Sequence, residues 1–275
     1  MGPGYSAVTS AFNRLAPAYD DRYGNRANPL MDWLRAESLR VLRQILPPGG
    51  RVLEVGCGTG EETLALARSG YRVLALDVSP EMVRRARQKA AAAGLTGRAE
   101  FLALPAGRLA ALRPGFPFDG AYAGLGTLNC EPDLESLGFA LGRLLRPGAA
   151  FVASVINRRC LFEAFWLLAH GRFKGAFTGR GSGWTAASLP SAGESPAAVP
   201  MRPLSAASLG RALGPAFRPE AWLALPLLLP PAYLAGLFCR HRALFKGLLG
   251  LERALRGRPP WRDWGDHTLV ILRRL

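Results

Sequence analysis

Apolar positions in the first half of the chain change period at short, regular intervals. Leu30, Trp33, Leu34, Leu39, Leu42 and Ile45 recur at helical spacing, and the PPGG run at 47–50 ends them. RVLEVG then reads as a strand, EETLALARSG as a helix stopped by Gly70, and YRVLALD as a second strand. SPEMVRRARQKAAAAG follows as a helix, with Ser79 at the N-cap, Pro80 at the first helical position and Gly94 at its end. AEFLAL at 99–104 and FDGAYAG at 118–124 read as strands three and four, 131–146 as a helix stopped by RPG, and AAFVASVI at 149–156 as strand five. Strands alternating with helices at this pitch predict a mostly parallel sheet with helices on both faces.

The regularity stops after Ile156. RRCLFEAFWLLAHGRF reads as an apolar helix, 179–200 as a Gly/Ser/Ala/Pro-rich mobile loop or lid, and 205–214 as a short helix. Ala221 to Cys239 is the longest uncharged run and approaches the length of a membrane span. Pro226, Pro230 and Pro231 break its middle, so it reads as a buried strand, a turn and the start of a helix. HTLVILRR at the end alternates like a strand and is expected to supply the last strand of the sheet. Three segments follow: 1–156 as an N-terminal arm and core, 157–262 as an insertion that includes a late sheet strand, and 263–275 as the returning final strand.

Charge changes the picture in one respect. The chain carries a formal +15 over 275 residues. Residues 1–150 hold 18 basic against 14 acidic side chains, and residues 151–275 hold 17 against 6. Only three of the 35 basic residues are lysine, which fits a compositional bias toward arginine as well as a basic face for an acidic substrate or anionic lipid. No basic motif is interleaved with aromatics, so nucleic acid is not expected as a partner. Cys57, Cys130, Cys160 and Cys239 show neither C-x-x-C pairing nor metal-ligand spacing. A reduced, cytoplasmic protein with no metal is the expectation, the first residues lacking a signal-peptide layout.

The candidate chemistry sits in VLEVGCGTG at 52–60. Gly56, Gly58 and Gly60 join a strand to a helix, where bare backbone can approach a ligand and helix N–H groups face it. Asp77 ends the next strand, 21 residues beyond Gly56, at the place where a carboxylate takes the two hydroxyls of a ribose. The glycine order is G-x-G-x-G rather than the G-x-G-x-x-G of dinucleotide sites, and Glu54 and Glu61 would repel phosphates. A ligand with a ribose, a positive charge and no phosphate removes both objections; S-adenosylmethionine is one.

The stretch VLEVGCGTGEETLALARSGYRVLALDVSPEMVRRAR resembles the first motif and following helix of class I S-adenosylmethionine-dependent methyltransferases of the small-molecule type. FNRLAPAYD at 12–20, FDGAYAGLGTLN and RLLRPGAAFVASV extend the resemblance over about residues 10–156 plus the final strand. It implies a Rossmann-like, doubly wound α/β fold with a mostly parallel seven-stranded sheet and an acceptor-side insertion before the last strand. It also implies roles. Glu54 would lie near the methionine ammonium or order the glycine loop. Gly56, Cys57, Gly58 and Gly60 would pass beneath methionine and ribose, Asp77 would hold the ribose, and Val78, with Met82 behind it, would flank the adenine. Gly124 and Leu125 would line the methionine side, and Tyr19 would close over the cofactor. Many members place an aspartate after strand three for the adenine amino group; LALPAGRL has none, which leaves backbone at Leu104, Pro105 and Ala106.

A sulfonium is already a strong methyl donor, so such an enzyme mainly holds an acceptor in line and excludes water. No catalytic residue stands out. His170, His241 and His267 each read first as structural, and Asn129 and Tyr122 are equal candidates for orienting an acceptor. The apolar stretches at 161–169 and 223–238 predict a hydrophobic small-molecule acceptor, with Arg158, Arg159, Arg240 and Arg242 at the pocket mouth and a membrane surface as a further place of contact. A nicotinamide-dependent oxidoreductase, and a non-catalytic S-adenosylmethionine-binding partner subunit, are the alternative readings.

Overall fold

The computed structural model describes residues 3–24, 27–113, 115–189 and 196–275. In chain order the helices and strands of the first half are α1 (Tyr5–Leu15), α2 (Tyr19–Tyr23), α3 (Pro29–Ile45), β1 (Arg51–Val55), α4 (Glu61–Arg68), β2 (Arg72–Asp77), α5 (Pro80–Ala92), β3 (Ala99–Ala103), β4 (Phe118–Ala123), α6 (Leu134–Leu144) and β5 (Leu145–Ile156). The second half adds α7 (Leu161–Ala169), α8 (Phe173–Thr178), β6 (Thr185–Leu189), β7 (Ala197–Met201), α9 (Ala206–Ala212), β8 (Phe217–Leu225), α10 (Ala235–Arg240), α11 (Arg242–Leu255) and β9 (His267–Arg274).

Seven strands form one sheet in the order β3-β2-β1-β4-β5-β9-β8. The first five are parallel, and β9 runs antiparallel between β5 and β8. The chain order reverses between β1 and β4, and ligands of such sheets bind outside the carboxyl ends of the strands at that switch point. Because β9 is antiparallel, its first residue, His267, reaches this same edge, opposite Ile156 at the end of β5. One face of the sheet packs on α6 and α9 through Leu137, Leu141, Leu209 and Leu213. The other packs on α3, α4 and α5 through Leu42, Leu64, Leu66, Val83 and Ala86.

Local chemistry sets the boundaries. The Asn28 side chain accepts from the Leu30 and Met31 amides, and Ser79 Oγ accepts from Met82 N at 3.1 Å, with proline at the first helical position each time. α6 starts later than the expected residue 131 because Asp133 caps it, its Oδ1 accepting from Ser136 N at 2.9 Å. β5 begins at Leu145, so the RPG stretch lies inside the strand rather than before it.

Two features depart from the sequence expectation. The arm at 5–23, to which no element was assigned, is helical and packs Ala11, Leu15 and Ala16 against Ala197 and Val199 of β7 and Met82 of α5. The segment expected as a loop or lid over 179–200 contains both strands of an antiparallel hairpin, β6 and β7, in a second, two-stranded sheet; positions 190–195 lie outside the described residues. Small residues alternate along these strands as well as in loops, which is why composition alone misread them. The proline-rich run at 221–239 is the end of β8, a turn and α10, as expected, and no helix among the described residues is long and apolar enough to cross a membrane.

The C-terminal helices are clamped to the core by charge. Glu37 on α3 accepts from Arg256 Nη2 and Arg253 Nη2, both at 2.7 Å, and Glu37 and Arg256 are each only 5% exposed. Burial alone would raise the Glu37 pKa, but the two arginines outweigh it and hold the carboxyl below its usual value. A depressed carboxyl stabilises the fold above its unfolded pKa, and that contribution disappears as pH falls through the folded one. Glu37→Gln should therefore cost about 3 kcal/mol at pH 7 by leaving Arg256 buried without its partner. In urea denaturation the gap to wild type should narrow steadily below about pH 4.5.

Candidate functional site

A cavity of about 950 Å3 opens at the carboxyl edge of the sheet, between the arm, the glycine loop and the C-terminal half. Its floor is the turn from β1 to α4. The amides of Gly56 and Cys57 both donate to Leu76 O, at 2.7 and 2.9 Å, stitching this turn to β2. Gly56, Gly58 and Gly60 all have positive φ, but each is glycine for a different spatial reason. A Cβ on Gly56 would lie 2.1 Å from the Thr127 methyl, so the neighbouring turn forbids a side chain. One on Gly60 would press on Ala86 and Phe101 at 3.1 and 3.2 Å, a helix–strand packing constraint. One on Gly58 would meet only Tyr19 Cε1, at 3.8 Å, and would project into the space under that ring. Gly58 is the glycine that leaves room for a ligand.

Asp77 closes this floor. Its Oδ2 accepts from Gly58 N and its Oδ1 from Ser79 N, both at 2.8 Å, so the carboxylate is fixed by two backbone donors. Each oxygen retains acceptor capacity for a second donor such as a ribose hydroxyl. Burial lifts the Asp77 pKa to about 6, against the lowering effect of the Ser79, Gly58 and Val78 amides. Glu54, 1% exposed near the carboxyl end of β1, accepts from Thr63 Oγ1 at 2.6 Å. Burial and the nearby Glu62 push its pKa up to about 8. Glu62 is itself paired with Arg35 Nε at 3.0 Å.

The cavity inverts the charge of the chain that encloses it. In a protein of net +15, the described lining includes Glu54, Glu61, Glu62, Asp77, Glu131, Glu163 and Asp266, against Arg35 and Arg180. Such a site favours a cation and disfavours a pyrophosphate. Arg158, Arg159, Arg240 and Arg242, expected at the mouth, do not line it; Arg159 instead lines a separate pocket of about 120 Å3 with Trp264.

Tyr19, Glu54, Gly56, Cys57, Gly58, Asp77 and Val78 all line the cavity, as do Leu104, Ala106, Gly124 and Leu125. Gly60, Met82 and Pro105 do not: Met82 is fully buried under the arm, and Pro105 precedes the 3-10 turn at 106–111. Asn129 is spent on structure, its Nδ2 donating to Ile156 O and Arg202 O while Oδ1 accepts from Ile156 N. Tyr122 is fully buried and does not reach the cavity. Neither is placed to orient an acceptor. The arm is pinned over the floor by Asp20, which receives Thr59 Oγ1 and Lys89 Nζ, and by Asn13, which receives Ser79 Oγ.

Sequence reading missed two groups. Tyr5 of α1 donates to Glu131 and accepts from Gly107 N at 2.8 Å, which puts an acid beside the third-strand loop that lacks one. Burial raises the Glu131 pKa against the Tyr5 and Asp133 hydrogen bonds. The second group is Glu163, Arg180, Tyr233, Asp266 and His267, drawn from four separated segments onto the opposite wall. The only local signal was the acid–histidine pair at the head of the last strand.

A protein-family model described as a methyltransferase domain matches residues 52–148. Among curated proteins, a ubiquinone biosynthesis O-methyltransferase of Xylella fastidiosa (strain 9a5c) is 38% identical over 118 residues, covering 43% of this chain and 46% of that one. A 24-methylenesterol C-methyltransferase 2 of Oryza sativa subsp. japonica is 29% identical over 178 residues, covering 55% and 47%. The chain spans about half the length of the curated relatives it matches. Among solved structures, the [4+2]-cyclase SpnF superimposes with a TM-score of 0.62 at 18% identity over 99% of this chain and 97% of that one. The CcbJ methyltransferase from Streptomyces caelestis does so with 0.60 at 19% identity over 97% and 98%. The match to a methyltransferase domain over residues 52–148 thus falls on the part of the chain that carries the glycine floor, Asp77 and the switch point of the sheet.

Proposed function

We propose that this protein transfers a methyl group from S-adenosylmethionine to an apolar small-molecule acceptor. The observation that carries this is a single cavity with two chemically different ends. One end is the glycine floor with fixed acids at Asp77 and Glu54. The other is walled by the apolar Ile156, Met201, Ala232, Ala235 and Gly236 together with the polar group of Glu163, Arg180, Tyr233, Asp266 and His267. A cofactor with a ribose, an ammonium and a sulfonium fits the first end on this chain's own geometry. The space above Gly58 is open, Asp77 is held with acceptor capacity to spare, and the surrounding charge is negative.

When bound, that cofactor supplies an activated methyl group. The protein's part is to hold it, to position the acceptor in line and to keep water out. Asp77 would take the ribose hydroxyls, and Glu54 would receive the ammonium or brace the loop through Thr63. Val78 would lie against the adenine, with the Leu104–Ala106 backbone and Glu131 near its edge. Tyr19 would cover the methionine over Gly58, and Gly124 and Leu125 would line its other side. The curated relatives named above are an O- and a C-methyltransferase, each matched over about half of its length. The acceptor half, residues 157–262, is where this chain sets its own specificity. A phosphate-bearing nicotinamide cofactor is disfavoured by the acids of the floor. A binding-only subunit would have no use for the apolar end. That a [4+2]-cyclase shares the fold makes the assay the deciding step, because a fold alone does not fix a reaction.

The assay is S-adenosylhomocysteine release against phenols, quinols, amines, thiols and lipids, with RNA and protein as controls. Release with an apolar small molecule supports the reading; release only with RNA or protein overturns the acceptor class. Asp77→Ala should weaken S-adenosylmethionine binding by about tenfold or more in calorimetry, since charge-assisted hydrogen bonds are worth roughly 1.5–3 kcal/mol each. Gly58→Val should abolish it by filling ligand space. Unchanged affinity in Asp77→Ala would end the ribose assignment.

Glu54 gives a pH-dependent signature. With a free-state pKa of about 8 it is mostly protonated at pH 7. An ammonium arriving beside it favours the carboxylate, lowers that pKa and drives the proton out. S-adenosylhomocysteine binding at pH 7, measured in buffers of different ionisation enthalpy, should show net proton release. Glu54→Gln should remove that release, and the wild-type release should fade above about pH 9.

A further inference from the structure

Across the cavity from the glycine floor, five polar side chains form one connected network. Asp266 Oδ2 lies 3.0 Å from His267 Nδ1, and Asp266 Oδ1 accepts from Arg180 Nη2 at 2.6 Å. Arg180 Nε donates to Glu163 Oε2 at 2.7 Å, and Tyr233 OH donates to Glu163 Oε1 at 3.0 Å. Backbone fixes the pair, since Asp266 N donates to Pro226 O and Asn157 N donates to Asp266 O, both at 2.9 Å. His267 is 8% exposed, yet it lines the cavity. Its Nε2 has no hydrogen-bond partner among the described residues and is not sealed inside protein. A carboxylate at Nδ1 places the imidazole proton on that nitrogen, which leaves the Nε2 lone pair free.

The charges around the ring suit one added proton. Asp266 stays ionised: burial alone would raise its pKa, but His267 and Arg180 outweigh that and hold the carboxyl well below the usual range. Glu163 supplies a second negative charge and Arg180 the single fixed positive one. Burial keeps the Cys160 thiol neutral, pushed up to about 12. The network is therefore one charge short of neutrality, and an imidazolium at His267 completes it. Position agrees with chemistry. His267 stands at the head of β9, beside the end of β5 and two strands from the end of β4, where Gly124 and Leu125 line the methionine side. At about 4.8 Å per strand that is about 10 Å, enough for a small ring between them.

Resting on the methyltransferase reading, we propose that His267, held by Asp266, is the general base of this enzyme and that its acceptors are hydroxyl compounds of the phenol or enol class. The acceptor oxygen forms the new C–O bond. The bond between that methyl carbon and the sulfonium sulfur breaks, its electron pair going to sulfur, and the hydroxyl proton passes to Nε2. Arg180 and Glu163 are positioning residues, acting through Asp266.

The test uses the full chain with a panel of phenols of graded acidity in the S-adenosylhomocysteine release assay. With wild type at pH 7, kcat should vary by less than about tenfold across phenols of pKa 7 to 10, since a positioned base removes the need for prior ionisation. His267→Gln should lower kcat by about 100-fold or more with KM within threefold, and the deficit should shrink as pH rises through the phenol's own pKa. Asp266→Asn should cost about tenfold. Calorimetric affinity for S-adenosylhomocysteine should stay within twofold of wild type in both variants. A wild-type rate that tracks the ionised fraction of each phenol overturns the proposal, and needs no variant to fold. So does a pH-independent deficit, a loss of S-adenosylhomocysteine binding in His267→Gln, or methylation of amines, thiols or carbon centres alone. Absence of transfer to every acceptor in the wild type overturns the methyltransferase reading itself, and this proposal with it.

Discussion

The structure turns on a buried carboxylate held by backbone. Asp77 ends β2 and receives the amides of Gly58, from the turn leaving β1, and Ser79, at the cap of α5. Three connections are fixed against each other by this one side chain. Ser79 then caps α5 and donates to Asn13 of the arm, so the same knot sets the roof above the floor. Gly58 gives its amide to this knot and, lacking a side chain, leaves the space under Tyr19 open. A ligand that donates to Asp77 meets oxygens whose orientation the fold has already fixed.

Electrostatics explains why a strongly basic chain can house a cationic ligand. The excess of arginine lies outside the cavity, while carboxyl groups are drawn inward by specific partners: Arg35 for Glu62, Tyr5 for Glu131, Arg180 for Asp266. Buried charges are tolerable only when so partnered. Net charge thus describes the solvent face, and the field a ligand meets is set by a few paired groups at close range.

Much of the architecture was legible in the sequence because the signals were local. Strand–glycine–helix order, the Ser79–Pro80 cap and the acid at Asp77 each declare themselves within a few residues, and the central sheet follows from their repetition. The glycine-floor end of the cavity inherits this legibility. The opposite end does not. Its wall joins Glu163, Arg180, Tyr233 and Asp266 from segments with no shared period, and the β6–β7 strands, TAASL and AAVPM, are rich in small residues that also suit a loop. Asn129 read as a candidate ligand group because polarity beside a strand end looks the same whether it serves a substrate or, as here, ties Ile156 to Arg202. Long-range partnership is a property of the fold, and no window of sequence contains it.

The central position of β9 also shapes how the sheet assembles. β5 is buried almost throughout, and its partner on one side arrives only at residues 267–274, after the whole of α7 to α11. Closing a seam between such distant segments carries a large loop-closure entropy and slows folding. During that interval one edge of β5, rich in valine, alanine and phenylalanine, offers unpaired amides and carbonyls to any neighbouring chain. The same late strand that delivers His267 to the cavity is therefore the guard of the sheet's most aggregation-prone edge, and a chain synthesised without it would be a self-associating one.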